Sequence, residues 1–511
     1  MSTQNLLSNI PKYIADEMTA YLYTHGLLIK SKDTNTCTHV PIIVYPSPIV
    51  KSFFEKISFY QIAFNKLIDK ISRDQEYIEK VLTPIAEQDD FVKRNLELSK
   101  KAFEFEKKQP IQLGIFRNDY MVDKTKKFIY QIEYNTIAAT MGYFVDGLKK
   151  FYEYFSTKYP DVFSRYINKD DKRVPLDKQD TIESFCASMI DAVKRFANPN
   201  ALPENDNEYK NTVIVFVVQP TERNIYDQRA VEFHLWEKYQ IKSRRLTLNE
   251  IAKECTQDED KNIYIDGKKV SLFYFRACYT EKDYIDEESW KGREMIELST
   301  AIKCPNINTF LTTFKVFQYE LTKVDVIKKY INEDLIVNDM LRFFVKLYYV
   351  RDLDKEKQKE LFTDVLAHVD NYILKPQKEG GGNNYYGEAI KQLIPSADVE
   401  PDDKLLSSII MEKITPPQYD TVAIIDGVLK QLTCVSEFSV YGVVLSDGKD
   451  YFINKTVSYL VRTKEESAKE GGVIVGVASI DLPCLVDMQV NRDDGEELKR
   501  SEERRVGKEC H

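Results

Sequence analysis

Cysteine pairs, histidine clusters, a basic excess and long apolar runs are all missing from this 511-residue chain. Its eight cysteines (Cys37, Cys186, Cys255, Cys278, Cys304, Cys434, Cys484 and Cys510) are scattered, with no C-x-x-C among them. Reduced thiols are therefore expected, and no zinc site is suggested. The five histidines (His25, His39, His234, His368 and His511) form no H-E-x-x-H cluster, leaving almost no material for a histidine metal site or a Ser-His-Asp triad. A reaction that needs no covalent protein nucleophile is favoured. Lys and Arg number 72 against 81 Asp and Glu, a net charge of -9, which disfavours nucleic acid as a partner. The longest apolar runs, such as residues 213–218, are strand-sized, and the first residues lack the basic region of a signal peptide. A soluble, cytoplasmic protein with no membrane partner is the expectation.

A chain of this length holds more than one lobe. Apolar residues at three- and four-residue steps predict helices over 12–28, 50–71 and 75–105, interrupted by an extended segment at 41–48. Residues 128–135 alternate instead, which predicts a strand with a polar face. Alternating strand and helix patterns over 211–313 suggest an inserted α/β lobe. Helical periodicity resumes over 315–349 and 355–369. Strands are predicted at 372–374 and 407–414, and a hairpin of 432–445 with 451–461 turns at Ser446, Asp447, Gly448 and Lys449. The expected division is 1–210, 211–313 and 314–490, followed by a disordered or non-native tail at 491–511.

Segment 375–388 carries the most chemistry. An apolar strand, Tyr372, Ile373 and Leu374, runs into Lys375, Glu379 and three consecutive glycines, Gly380, Gly381 and Gly382. Successive glycines let backbone N–H groups converge on an anion. Lys375 adds a point charge, and a carboxylate beside a triphosphate is tolerable only if a cation bridges them. The residues alone read as a loop over the phosphates of ATP and Mg2+, with a mobile glycine turn as the alternative, because neither G-x-x-x-x-G-K-[ST] nor G-x-G-x-x-G is present. Glu133 and Asn135 lie two apart on the alternating strand, where both oxygens project the same way. They form either hard ligands for Mg2+ or a solvated sheet face. Arg462 and Lys464 repeat the spacing with cations ahead of a second glycine run at 471–476, and read as a carboxylate-and-phosphate face or as an exposed basic pair. Arg117 and Arg276, beside Tyr-rich strands, could serve equally as cation-π or salt-bridge residues.

K-P-Q-K-E-G-G-G-N-N-Y-Y-G-E at 375–388 resembles the glycine-rich loop of eukaryotic glutathione synthetases, which are ATP-grasp ligases. Further motifs follow in the family's order across nearly the whole chain, from about residue 45 to 483. Q-I-E-Y-N-T-I resembles the metal-binding strand, L-V-R-T-K the substrate- and ATP-binding strand, F-R-N-D-Y-M, E-R-N-I-Y-D-Q-R and Y-F-R-A-C-Y the dipeptide contacts. The resemblance implies an α/β (α+β) ATP-grasp fold with a helical N-terminal region, an inserted substrate-binding lobe and a glycine-rich lid. It implies ligation of γ-glutamylcysteine to glycine with ATP, through an acyl phosphate, in a homodimer. Glu133, Asn135 and Glu379 would hold Mg2+. ATP would be bound by Lys315, Lys375, Gly380, Gly381, Gly382, Asn383, Asn384, Tyr386, Met411, Glu412, Lys413, Ile414, Glu437, Lys464 and Glu470. Substrate would meet Arg117, Ala138, Thr140, Asn224, Gln228, Arg276, Tyr279, Arg462, Val473 and Ile474, with Arg462, Lys375 and Glu379 carrying the catalysis.

The chain departs from the family's pattern in places. Ala138 and Thr140 stand where members often carry serines, Cys278 where glycine is usual, and Ile474 with Val475 where many have two alanines in the acceptor loop. The last departure keeps a sister ligase open, one using β-alanine or serine as acceptor. A non-catalytic ATP-binding scaffold is the more distant alternative. Residues 500–511 have no family counterpart.

Overall fold

The computed structural model describes residues 6–31, 36–106, 109–163, 180–198, 208–379, 382–468, 471–474 and 476–487. At its centre is a seven-stranded sheet in the order Tyr419–Ile425, Ile42–Ile43, Ala478–Asp481, Tyr451–Glu465, Val428–Ser446, Gln112–Asp123, Phe128–Asn135. Every pairing in it is antiparallel except that of Ala478–Asp481 with Ile42–Ile43. The long hairpin in the middle turns at residues 447–450, where the Asp447 carboxylate accepts from the backbone of Lys449 and Asp450 and Gly448 takes φ +88°.

Alternation explains how this sheet is both core and site. On one face helix Lys51–Ser72 buries Phe53, Ile57, Phe64, Leu67 and Ile68 at helical spacing, packed with Phe116, Tyr120, Tyr134 and Phe438. The opposite face is covered by helices Gly142–Lys158 and Thr181–Ala197 over Leu113, Ile115, Tyr441, Val443 and Leu460. Two and four residues further along those strands, on the same pleat, the side chains are Arg117 and Asp119, Ser439 and Glu437, Arg462 and Lys464. One half of this face is thus apolar and covered, and the other half is charged.

The second sheet runs Lys242–Leu246, Val213–Val217, Lys268–Phe275, Ile263–Ile265, Thr256–Gln257, with Ile302–Cys304 also on Lys268–Phe275. Its pairings around Val213–Val217 and Ile302–Cys304 are parallel, and all five residues of Val213–Val217 are buried, as a strand covered on both faces requires. Helix Ile225–Tyr239 makes the crossover from Val213–Val217 to Lys242–Leu246. A third, antiparallel sheet orders Leu347–Tyr349, Ile409–Glu412, Tyr372–Lys375 and has its own core of Val350, Phe362, Val365, Leu374 and Ile410.

Several predicted elements differ from those observed. The helix over 12–28 stops at Thr24, because Gly26 is left-handed and residues 28–30 join a strand pair. The pattern at 75–105 is two helices, Gln75–Ala86 and Asp90–Glu106, the second restarted by Asp89 accepting from Val92 N at 3.0 Å. The periodicity at 315–349 is three short helices, Lys315–Glu320, Val324–Tyr330 and Asp334–Leu341, then the strand Leu347–Tyr349. Residues 407–414 hold only the strand Ile409–Glu412. A helix capped by Asp402 ends at Ser407. The expected tail lies outside the described residues. Among the described residues no helix is long and apolar enough to cross a membrane, and the seven described cysteines are free.

Candidate active site

Register brings the charged half-face together. Arg117 lies opposite Asn135 across the 112–135 hairpin, and Asp119 opposite Glu133. On the other side Tyr441 faces Arg117 and Glu437 faces Arg462. The guanidinium of Arg117 donates in bidentate fashion to Asp119, Nε to Oδ1 at 2.8 Å and Nη2 to Oδ2 at 3.0 Å, a strong and directional geometry. Asp119 Oδ2 also accepts from Arg462 Nη2 and from Asn135 Nδ2, both at 2.9 Å. Arg462 Nη2 reaches Glu437 Oε2 at 2.8 Å, while Lys464 Nζ lies 3.6 Å from Glu437 Oε1. Burial pushes the Asp119 carboxyl up in pKa, but Arg117 and then Arg462 outweigh it, and the net shift is downward. Asp119 is fully buried, so this carboxylate is the hub that holds two cations in place.

The third sheet closes over this face. Lys375, the last residue of Tyr372–Lys375, sends Nζ to Ile132 O at 2.9 Å, on the strand that carries Glu133. Lys315, at the start of a short helix, lies between two carboxylates, with Nζ 2.5 Å from Glu133 Oε1 and 2.6 Å from Glu379 Oε1. Burial raises the Lys315 partners unequally: Lys315 and then Lys375 overcome it at Glu133, which ends below the usual carboxylate range, whereas at Glu379 burial prevails, with Glu133 adding to it, and the carboxyl ends above. Gln377 locks the loop's first turn, accepting from Val316 N at 3.0 Å and donating to Ser407 O at 2.7 Å. Beyond it Asn383 Nδ2 donates to Glu379 O, Asn384 Nδ2 approaches the Tyr386 hydroxyl at 3.4 Å, and Gly382 has φ +75°. Met411 and Ile414 are buried in the large core. Glu412 pairs at 3.1 Å with Lys126, in the turn of the 112–135 hairpin, and Lys413 N donates to Asn371 O at 2.7 Å. Gly380, Gly381 and Glu470 lie outside the described residues.

A second cluster adjoins the first through Tyr441, whose hydroxyl donates to Thr140 O. Thr140 Oγ1 donates to Asp227 Oδ2 at 2.8 Å and accepts from Asn224 Nδ2. Arg276 Nη1 donates to Ala139 O at 2.7 Å, beside Ala138, which has φ +52°. Gln228 is buried, with Nε2 on Glu222 and Oε1 accepting from Arg245 Nη2. Val473 is buried, and Ile474 O accepts from Arg223 Nη1. Gly471 packs so tightly on Glu437 that a β-carbon there would lie 2.7 Å from Oε1.

Sequence reasoning passed over Asp119, Asp227 and Glu222, which organise these clusters. Asp119 carried a signal, its two-residue spacing from Arg117 on a strand. Asp227 caps helix Gly142–Lys158 from another element by accepting from Met141 N and Tyr143 N, which no local pattern reveals.

A sequence model described as eukaryotic glutathione synthase, ATP binding domain, matches residues 8–485. The chain belongs to that family. A glutathione synthetase of Dictyostelium discoideum is 32% identical to it over 91% of this chain and 97% of that one. The chloroplastic glutathione synthetase of Arabidopsis thaliana is 31% identical over 90% and 83%, and the glutathione synthetase of Homo sapiens 29% over 90% and 94%. Among solved structures, a glutathione synthetase-like effector of Globodera pallida, in apo form, superposes with a TM-score of 0.69 over 93% of this chain and 98% of that one, at 17% identity, which speaks for the fold alone. Membership agrees with the α/β architecture, and the matched residues 8–485 include both the glycine-rich loop and the charged half-face.

Proposed function

We propose that this chain joins γ-glutamylcysteine to glycine with ATP. The observation that carries the proposal is the convergence of Arg117, Asp119, Glu437, Arg462 and Lys464 on one half-face, under a loop whose Glu379 shares Lys315 with Glu133. A carboxylate of the dipeptide takes the terminal phosphoryl group from ATP, and ADP leaves. The amine of glycine attacks the acyl carbon, a C–N bond forms, and phosphate leaves with the C–O bond broken. The amine gives up its proton. None of this requires a protein nucleophile, so the side chains contribute position and charge. Lys315, Lys375 and Lys464 neutralise phosphate oxygens. Arg462 holds the carboxyl as it becomes tetrahedral, and Asp119 fixes the orientation of Arg462. Arg276 and Tyr279 face the dipeptide, and loop 376–387 keeps water from the acyl phosphate.

Mg2+ fits the residues present. Among the described residues no three His, Cys, Asp or Glu side chains form a cage, but Glu133 and Glu379 bring hard carboxylate oxygens to either side of Lys315 Nζ, at 2.5 and 2.6 Å. That is the donor set Mg2+ uses when phosphates and water complete its shell. Glu133, Glu379 and the side-chain oxygen of Asn135 would hold it, and it would supply charge neutralisation at the phosphates. The family resemblance further supports a homodimer in the cytoplasm.

The test is ADP release by the purified chain with Mg2+, ATP and γ-glutamylcysteine, comparing glycine, β-alanine, serine and no acceptor, with the product identified by mass. Glycine-dependent release with a matching tripeptide is expected. Preference for another amine would move the assignment to a sister ligase, whose case rests on the bulk of Ile474 and Val475, the latter outside the described residues. The Glu379→Gln variant should lose turnover and keep its fold, and undiminished ligation by it would remove the metal role.

A further inference from the structure

Cys278 occupies a conformation that side chains with a β-carbon avoid, φ +77°, and it does so fully buried between Arg276 and Tyr279. Something must hold it there. The Asp283 carboxylate accepts from three consecutive backbone groups through Oδ2, Cys278 N at 3.0 Å, Tyr279 N at 3.1 Å and Thr280 N at 3.1 Å, and from Thr280 Oγ1 at 3.1 Å. Its other oxygen accepts from Gln219 Nε2 at 2.8 Å. Gln219 opens the loop that leads to Glu222, Asn224 and Gln228. Successive N–H groups turned inward make an anion-binding concavity, and in this protein the anion is a side chain of the protein itself.

We infer that Asp283 is a positioning residue for the dipeptide site: it pins the left-handed turn that presents Tyr279 and Arg276 and ties that turn to the loop bearing Asn224 and Gln228. The inference rests on the proposed function only for the identity of the substrate. The anchored turn also carries Glu281, whose carboxylate lies 3.4 Å from Lys378 Nζ, next to Glu379 in the glycine-rich loop. Both partners of that pair are exposed, so screening leaves it weak, and the anchoring role belongs to Asp283.

The experiment uses the full chain as wild type, Asp283→Asn, and Asp283→Asn combined with Cys278→Gly. The asparagine oxygen is an uncharged and weaker acceptor for the three N–H groups, and its NH2 obliges Gln219 to turn its own oxygen inward, so the single variant should raise KM for γ-glutamylcysteine about tenfold with KM for ATP held within about twofold. Glycine adopts φ +77° without support, so the double variant should return KM for the dipeptide to within about threefold of wild type. Hydrogen exchange of the ligand-free protein gives a readout independent of substrate. The single variant should lose protection at residues 278–280 and keep it in the central sheet. Unchanged exchange at 278–280 would overturn the proposal, as would lost protection with an unchanged dipeptide KM, or a raised KM that Cys278→Gly fails to restore. Absence of turnover by the wild-type chain would overturn the proposed function, and with it the positioning role, while the exchange data would still decide whether Asp283 anchors the turn.

Discussion

Replacing Asp119 by asparagine keeps the shape of the hub and removes its charge. Four contacts converge on that carboxylate within 3.0 Å, two from Arg117, one from Arg462 and one from Asn135. Removing one partner of a buried ion pair costs about 3–5 kcal/mol, because the other charge stays buried and unpaired. Arg462 keeps Glu437 at 2.8 Å, so the loss falls mainly on Arg117, and about 3 kcal/mol is expected. Against a total of about 5–15 kcal/mol that variant still folds. Urea unfolding followed by far-UV circular dichroism at pH 7 should show a lower midpoint with the slope unchanged. The pH dependence has a definite sign. The Asp119 pKa is lowered on folding, so its contribution is present above the ordinary aspartate value and is lost as pH falls through the folded one. The gap between wild type and Asp119→Asn should therefore narrow on acidification below about pH 4. A deficit under about 1 kcal/mol at pH 7, or a gap that widens in acid, would refute the hub.

Gly471→Ala puts a methyl group 2.7 Å from Glu437 Oε1, and the carboxylate must leave Arg462 and Lys464 to admit it. A loss of about tenfold in kcat/KM for the acceptor amine is expected, with a lower melting temperature because Arg462 and Lys464 lose a buried partner, and wild-type kinetics would show that Glu437 does not organise the two cations. Asp481 is buried, accepts from Thr463 Oγ1 at 2.7 Å, and is pushed by burial up to about 7. The folded state therefore holds a proton that the unfolded chain has lost, and wild-type stability should fall as pH rises from about 4 to about 7. Asp481→Asn should lack that part of the slope when urea midpoints at several pH values are compared, and parallel profiles would mean that Asp481 is ionised in the fold.

The strand 128–135 and its polar face were legible because period-two alternation is local, and the glycine loop because a lysine, a glutamate and three glycines follow an apolar strand. The hub was not. Asp119 acquires its meaning from Asn135 across a hairpin and from Arg462, 343 residues away, through register that no short window contains. Lys315 reads as an ordinary helix residue until two carboxylates from distant segments meet it. The error over 315–349 has the same root: Leu321 and Ile331 continue the apolar face across two turns, so periodicity cannot register the breaks. The clusters around Thr140 and Arg276 depended on resemblance, because backbone carbonyls and a left-handed turn leave no trace in side-chain pattern.

The strand order of the central sheet also sets a timetable. The hairpin of 112–123 and 128–135 has a bare edge until Val428–Ser446 is made, nearly three hundred residues later, and Ile42–Ile43 waits for Tyr419–Ile425 and Ala478–Asp481. At about 5–20 residues per second, a ribosome leaves that edge unpaired for roughly 15–60 seconds. During that interval its N–H and C=O groups are a template for any other extended chain. Arg117 and Asp119, charged and two residues apart on that strand, sit on the half of it that no helix will later cover. The pair that becomes the hub of the site is thus also a guard on the growing chain, making the nascent edge too polar to be an attractive partner.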